Sequence, residues 1–263
     1  MPLKPEVWHE RYCQQARWTQ SLRLYLFERY HLEQSARVLE VGCGTGALLS
    51  AIEPKTEPFS DLDGPSRPVQ AAIHGLDLNL EYLELAHSHS SSAILTQGDA
   101  HSLPYASGSF DLTFCHFLLL WLNSPVEAVA EMGRVTRPGG AVLALAEPDY
   151  GGRIDYPSDL NILGVWQKQA LMDQGAVPLI GRQLAEIFLA ARLKDVEYGV
   201  LGGEWQARPD PQESDAEWRI LLDDLDDRVD PTLLEELHQL DRDSRRLGER
   251  VLFVPTFYAC GRV

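Results

Sequence analysis

Two hydrophobic periods alternate along this chain. Across residues 6–30, Trp18, Leu22, Tyr25 and Leu26 fall at i, i+4, i+7 and i+8, a helical stripe facing a core, so one or two helices are expected there. Residues 37–41 then read as a strand, R-V-L-E-V, which runs into Gly42, Gly44 and Gly46, with a helix over 46–53 stopped by Pro54. Further strands are expected at 71–78, 93–96, 110–114, 141–146 and 196–201, with a last one at 253–262. Helices are expected between them at 79–87, from Ser124-Pro125-Val126-Glu127 to about Val135, and at 180–191, with an extra apolar-patterned segment at 160–172. Near the end, Ser214-Asp215-Ala216-Glu217 has the form of a capping box for a helix presenting Trp218, Leu221, Leu222 and Leu225 on one face. Asp230-Pro231 opens another, carrying Leu233, Leu237 and Leu240. Residues 54–70 hold four prolines, Gly64, Ser60, Asp61 and Asp63; they cannot bury a face and read as a mobile surface insertion.

Composition narrows the function classes. With 263 residues, 44% of them apolar, the chain can bury one large core or a core with a modest lid. A formal charge of −16 repels phosphate backbones and anionic membranes, so neither nucleic acid nor a membrane is an expected partner. The four cysteines (Cys13, Cys43, Cys115, Cys260) are far apart with no C-x-x-C pair, which suits a reducing compartment and argues against a zinc site or a disulfide framework. The N-terminal residues show no apolar signal region, and the longest apolar run, 114–122, is too short for a bilayer. The expectation is a cytoplasmic protein with no metal; its oligomeric state is left open.

The chemistry gathers where strands end. Glycines after a strand let backbone approach a ligand closely, and the helix that follows presents unpaired N–H groups. A dinucleotide fingerprint needs G-x-G-x-x-G, whereas Gly42, Gly44 and Gly46 give G-x-G-x-G, with Glu40 two residues ahead. Asp77 closes the second strand, where a carboxylate can accept both hydroxyls of a ribose; the plainer reading is a cap for the next helix, a role for which Asn79 competes. His116, at the carboxyl edge of the fourth strand, is a candidate general base or cofactor contact, against a packed, hydrogen-bonded histidine. His87 and His89 read as part of a solvated serine-rich loop. Asp223, Asp224, Asp226 and Asp227 read as a solvated face, lacking calcium-loop spacing.

Glu40 with the glycine loop, Asp77, the turn Gly98-Asp99-Ala100-His101, the link from Leu103-Pro104-Tyr105 to Phe110-Asp111 and the turn Arg137-Pro138-Gly139-Gly140 occur in the order of the class I S-adenosylmethionine-dependent methyltransferases, which this chain resembles over residues 37–146. The resemblance implies an α/β fold: a doubly wound, seven-stranded sheet with six parallel strands and one antiparallel. It also implies a Rossmann-like domain at 36–263 behind a helical lid at 1–35; the chain departs from the family's pattern after the fifth strand, with a substrate-side insertion expected at 147–178 and a helical insertion at 213–249. S-adenosylmethionine would be the cofactor and a small molecule the methyl acceptor. Cofactor contacts are implied for Arg17, Glu40, Gly42, Cys43, Gly44, Gly46, Asp77, Leu78, Asp99, Ala100, Cys115 and His116, with Tyr12 as a second candidate beside Arg17 for the methionine carboxylate. His116, Glu147 and Tyr150 are the candidate catalytic groups. Asp149, Arg153 and Tyr156 join Glu147 and Tyr150 as substrate-side candidates, the competing reading being a structural loop. A nicotinamide oxidoreductase and a non-catalytic module binding S-adenosylmethionine are the alternative functions.

Overall fold

The computed structural model describes residues 4–30, 36–52, 72–90, 92–202, 211–225 and 228–263. The expected insertion at 54–70, together with Asp226 and Asp227, lies outside the described residues.

The central strand is β1 (Arg37–Val41), whose Val38, Leu39 and Val41 are buried. It pairs in parallel with β2 (Ala72–Asp77) on one side and β4 (Phe110–Cys115) on the other. Beyond β2 lies β3 (Ile94–Gln97), and beyond β4 lies β5 (Thr136–Pro148), both parallel to their neighbours. The last strand, β9 (Thr256–Arg262), enters between β5 and β7 (Lys194–Leu201) and is antiparallel to both. The seven-stranded order is β3-β2-β1-β4-β5-β9-β7, six parallel strands and one antiparallel, as expected. Strand order reverses beside β1, so a crevice forms at the carboxyl ends of β1 and β4.

Period-2 alternation sorts the core onto two faces. Leu39, Val41, Leu76 and Phe110 pack with α5 (Pro125–Val135) and α7 (Leu184–Ala190). Val38, Leu112, Phe114 and Leu143 pack with Ala16 of α1 (Pro5–Trp18), Leu26 of α2 (Gln20–Arg29) and Leu48 of α3 (Ala47–Ile52). The sixth helix, α6 (Asn161–Asp173), joins α8 (Pro211–Asp224) and α9 (Pro231–Leu247) around Trp218, Leu221, Leu234 and Leu237. Between β2 and β3 runs α4 (Leu80–His89), capped by the Asn79 side chain.

Several local expectations need correction. The stripe over residues 18–26 is broken at Thr19, where α1 ends and α2 begins; Trp18 and Tyr25 are exposed, whereas Gln14, Ala16, Arg23 and Leu26 face inward. Ser124 occupies the N-cap position without a side-chain cap bond. The 214–217 box lies inside α8, because Pro211 already starts that helix. Leu222 and Leu233 are exposed, and Leu234 takes the inward position. Asp224 is buried and accepts from Gln167 and Gln174, so it does not belong to a solvated face. His87 and His89 lie in the last turn of α4. The strand expected at 253–262 is two strands: β8 (Val251–Phe253) pairs with β6 (Ile154–Tyr156) in a separate small sheet.

Candidate functional site

The carboxyl edge of the sheet gathers most of the candidates. Gly42, Gly44 and Gly46 all take positive φ, which side-chain-bearing residues adopt only with strain. A Cβ at Gly42 would lie 2.7 Å from a Leu118 methyl, and one at Gly46 would lie 3.0 Å from Ala86, so the turn is closely packed on its outer sides. Gly42 and Cys43 donate their N–H groups to the Leu76 carbonyl at 2.7 and 2.9 Å, tying the turn to β2.

Asp77 spans two neighbours. Its Oδ2 accepts from the Gly44 N–H at 2.8 Å and its Oδ1 from the Asn79 N–H at 2.9 Å. The helix cap falls to Asn79, leaving Asp77 facing the glycine turn. Burial raises the Asp77 pKa, opposed by these backbone donors. Leu78, next along, is exposed. Asp99 Oδ1 accepts from the His101 N–H at 2.8 Å and lies 2.8 Å from His101 Nδ1. Its pKa is lowered, first by that backbone bond. Ala100 is buried beside it.

Glu40 lies on the face of β1 that looks toward α1 and α2. It is 3% exposed, and its Oε2 has no hydrogen-bond partner. Burial pushes its pKa well up, opposed by the charge of Arg23. Arg23, itself 4% exposed, donates from Nη1 to the Ala16 carbonyl at 3.0 Å and to Thr19 Oγ1 at 3.2 Å. Thr19 Oγ1 is in turn 3.1 Å from His116 Nε2. Burial, with the Arg23 charge adding, brings the His116 pKa down to about 3, so the imidazole is neutral. Spacing along the sequence does not reveal Thr19 and Arg23: Thr19 stands at the break between α1 and α2, and Arg23 faces inward from the first turn of α2. Arg17 is exposed on α1. Tyr12 lies over the turn, its ring 3.3 Å from where a Cβ at Gly44 would stand.

Cys115 is wholly buried at the end of β4. Beyond it, Glu147 at the end of β5 is also wholly buried. Its Oε1 accepts from the Leu118 and Leu119 N–H groups, both at 2.9 Å, and its Oε2 from the Leu120 N–H at 3.2 Å. Burial lifts its pKa to about 8 against those three donors. Asp149 holds the Gly151 N–H and Arg182; Arg153 is bound to Asp155 at 2.6 Å and to Gln167 at 2.5 Å. Tyr150 is partly buried, which raises its pKa, and Tyr156 is exposed. Among the described residues no group of three or more His, Cys, Asp or Glu side chains is arranged to hold a metal ion. No described helix is long and apolar enough to cross a membrane.

An adenosyl sulfonium carrying an α-amino acid fits these residues: a glycine turn with a buried, unsatisfied carboxylate behind it, and a second carboxylate at the end of β2. The family described as a methyltransferase domain matches residues 39–144. An uncharacterized methyltransferase of Schizosaccharomyces pombe is 30% identical over 156 residues, covering 59% of this chain and 55% of that protein. The ubiquinone/menaquinone biosynthesis C-methyltransferase UbiE of Hahella chejuensis is 34% identical over 131 residues, covering 46% and 48%. The chain thus spans about half the length of the curated relatives it matches. Among solved structures, the [4+2]-cyclase SpnF has the same fold at a TM-score of 0.56 and 20% identity, covering 94% of this chain and 80% of that one. Residues 39–144 of this chain thus match a methyltransferase domain, laid over a sheet of order β3-β2-β1-β4-β5-β9-β7.

Proposed function

We propose that this protein moves a methyl group from S-adenosylmethionine to a small-molecule acceptor by in-line displacement. The observation carrying this reading is the buried Glu40 carboxylate, lacking a partner on Oε2, behind a turn of three left-handed glycines that Asp77 faces. When bound, the cofactor supplies a methyl on a positively charged sulfur that is already a good leaving group. The protein's part is therefore to hold the partners in line and keep water out.

Glu40 would take the α-ammonium of the methionine end, Asp77 the ribose hydroxyls, and the Asp99–Ala100 turn the adenine edge. Glu147 acts as a positioning residue: with both oxygens on the amides of residues 118–120, it fixes the segment that follows His116. Neutral His116, bonded to Thr19, stores no proton and would line the site beside the cofactor. Tyr150 keeps its phenol protonated, since burial raises its pKa, and would donate a hydrogen bond to the acceptor rather than remove a proton from it.

Calorimetric titration with S-adenosylhomocysteine and with NADH separates this reading from a nicotinamide oxidoreductase: heat of binding is expected from the first alone. Labelled-methyl turnover on a metabolite panel, starting with precursors of ubiquinone and menaquinone biosynthesis as in the name of UbiE, then identifies the acceptor. Binding of S-adenosylhomocysteine with no transfer to any acceptor would favour a non-catalytic module.

A further inference from the structure

Three elements meet on one side chain of the glycine turn. Thr45, between Gly44 and Gly46, is wholly buried, and its Oγ1 lies 2.8 Å from His9 Nδ1 of α1. His9 Nε2 is 3.4 Å from Cys13 Sγ, one helical turn further on. From the opposite side α4 brings His89, whose ring stacks on His9 with centroids 3.7 Å apart and planes 19° apart. His89 Nδ1 is 3.4 Å from the Thr45 carbonyl oxygen. The next turn of α1 places Tyr12 against Gly44 and edge-on to Tyr82 of α4, 6.5 Å between centroids.

This arrangement depends on a neutral imidazole. A buried hydroxyl needs an acceptor for its hydrogen, and neutral His9 can offer Nδ1 in the tautomer that carries its proton on Nε2, toward Cys13. An imidazolium has two donors and no acceptor, and it would sit directly on the His89 ring. Among the described residues the charged and titratable groups around His9 are few. Its own helix supplies Glu10 and Cys13, α4 supplies His89 and Tyr82, and the turn supplies the Thr45 hydroxyl and carbonyl. Glu10 is itself paired with Arg219 of α8 at 3.3 Å. Glu10 and the Thr45 carbonyl favour the charged ring, but burial and His89 outweigh them and hold the His9 pKa below its ordinary 6.5.

We propose that His9 is a positioning residue for the cofactor turn. Neutral, it holds Thr45 and through it the backbone of Gly44 and Gly46; once His9 takes up a proton, α1 lets go and the turn loosens. The proposal rests on the cofactor reading above. Its sign follows from the direction of the shift: docking of α1 is complete above pH 6.5 and weakens as pH falls below it.

Hydrogen exchange on the full cofactor-free chain, corrected for intrinsic rates, tests the latch at about pH 7.5 and about pH 5.5, either side of the histidine range. In the wild type, α1 and the turn are expected to lose protection in acid. His9→Gln, which keeps an acceptor and cannot charge, is expected to stay protected at both values, and His9→Ala at neither. Calorimetry with S-adenosylhomocysteine is expected to show about tenfold weaker binding in acid for the wild type and under about threefold for His9→Gln, the scale of one linked proton. Equal acid dependence in wild type and His9→Gln, or unchanged protection of α1, would overturn the proposal. Should S-adenosylhomocysteine fail to bind at either pH while α1 is still released in acid, the cofactor reading falls and the latch on Thr45 stands.

Discussion

Asp77 and His116 illustrate how neighbours assign a role to a side chain. Both oxygens of Asp77 contact backbone N–H groups, yet the carboxylate still faces the glycine turn, where ribose hydroxyls would meet it. Replacing it by alanine is expected to weaken S-adenosylhomocysteine by about 1–3 kcal/mol, the worth of charge-assisted hydrogen bonds, as read by calorimetry. His116 yields a pH prediction. Its pKa falls from 6.5 to about 3 on folding, so the neutral ring is favoured in the native state. Its contribution to stability is complete above pH 6.5 and is lost as pH drops below it, by up to about 1.4 kcal/mol per pH unit while the site stays closed. Urea unfolding from about pH 7 to about pH 5 should show this slope, and His116→Gln should flatten it. The position of His116 at a strand end was legible from the pattern of residues 110–116. Its bond to Thr19 was not, because a partner 97 residues away leaves no local signature.

At the level of elements, α8, α9 and the small β6–β8 sheet are joined by a buried polar network. Asp241 of α9 accepts from Trp218 Nε1 at 2.8 Å, Arg245 Nε at 2.7 Å and Arg250 Nε at 2.5 Å. Arg250 Nη2 continues to Asp155 at 2.7 Å, which also binds Arg153. Removing Asp241 leaves Arg250 with Asp155 and Arg245 with Glu217 as their remaining carboxylates and the buried Trp218 N–H without its acceptor, so Asp241→Ala is expected to cost about 3–5 kcal/mol in urea unfolding. A loss below about 1 kcal/mol, the worth of an exposed pair, would mean that water screens the cluster. The leucines of α9 show that a helix forms; its buried face holds Asp241 and Ser244 beside Leu234 and Leu237, and a charged residue there is one that composition assigns to the surface. For the same reason Asp224 reads as solvated in the sequence yet is buried against two glutamines of α6 and its end.

For the molecule as a whole, β9 is the closing piece. It occupies the gap between β5 and β7, with Ala259 and Cys260 wholly buried, and beyond it Val263 exchanges backbone hydrogen bonds with Gly139 and Gly140. Ending the chain before Thr256 would leave β7 without a strand partner and one edge of β5 unpaired, and would open the core to water. Loss of soluble folded protein is the expected result, measured by circular dichroism and gel filtration of the truncated chain.

The order of strands, the left-handed glycine turn and the acid closing β2 are determined by the sequence itself, because short-range periodicity and turn chemistry depend on residues a few positions apart. What meets that turn was decided by the tertiary structure alone. Arg23 behind Glu40, Thr19 on His116, and the imidazole pair on Thr45 join residues distant in the chain, and burial among such neighbours sets whether each group is charged.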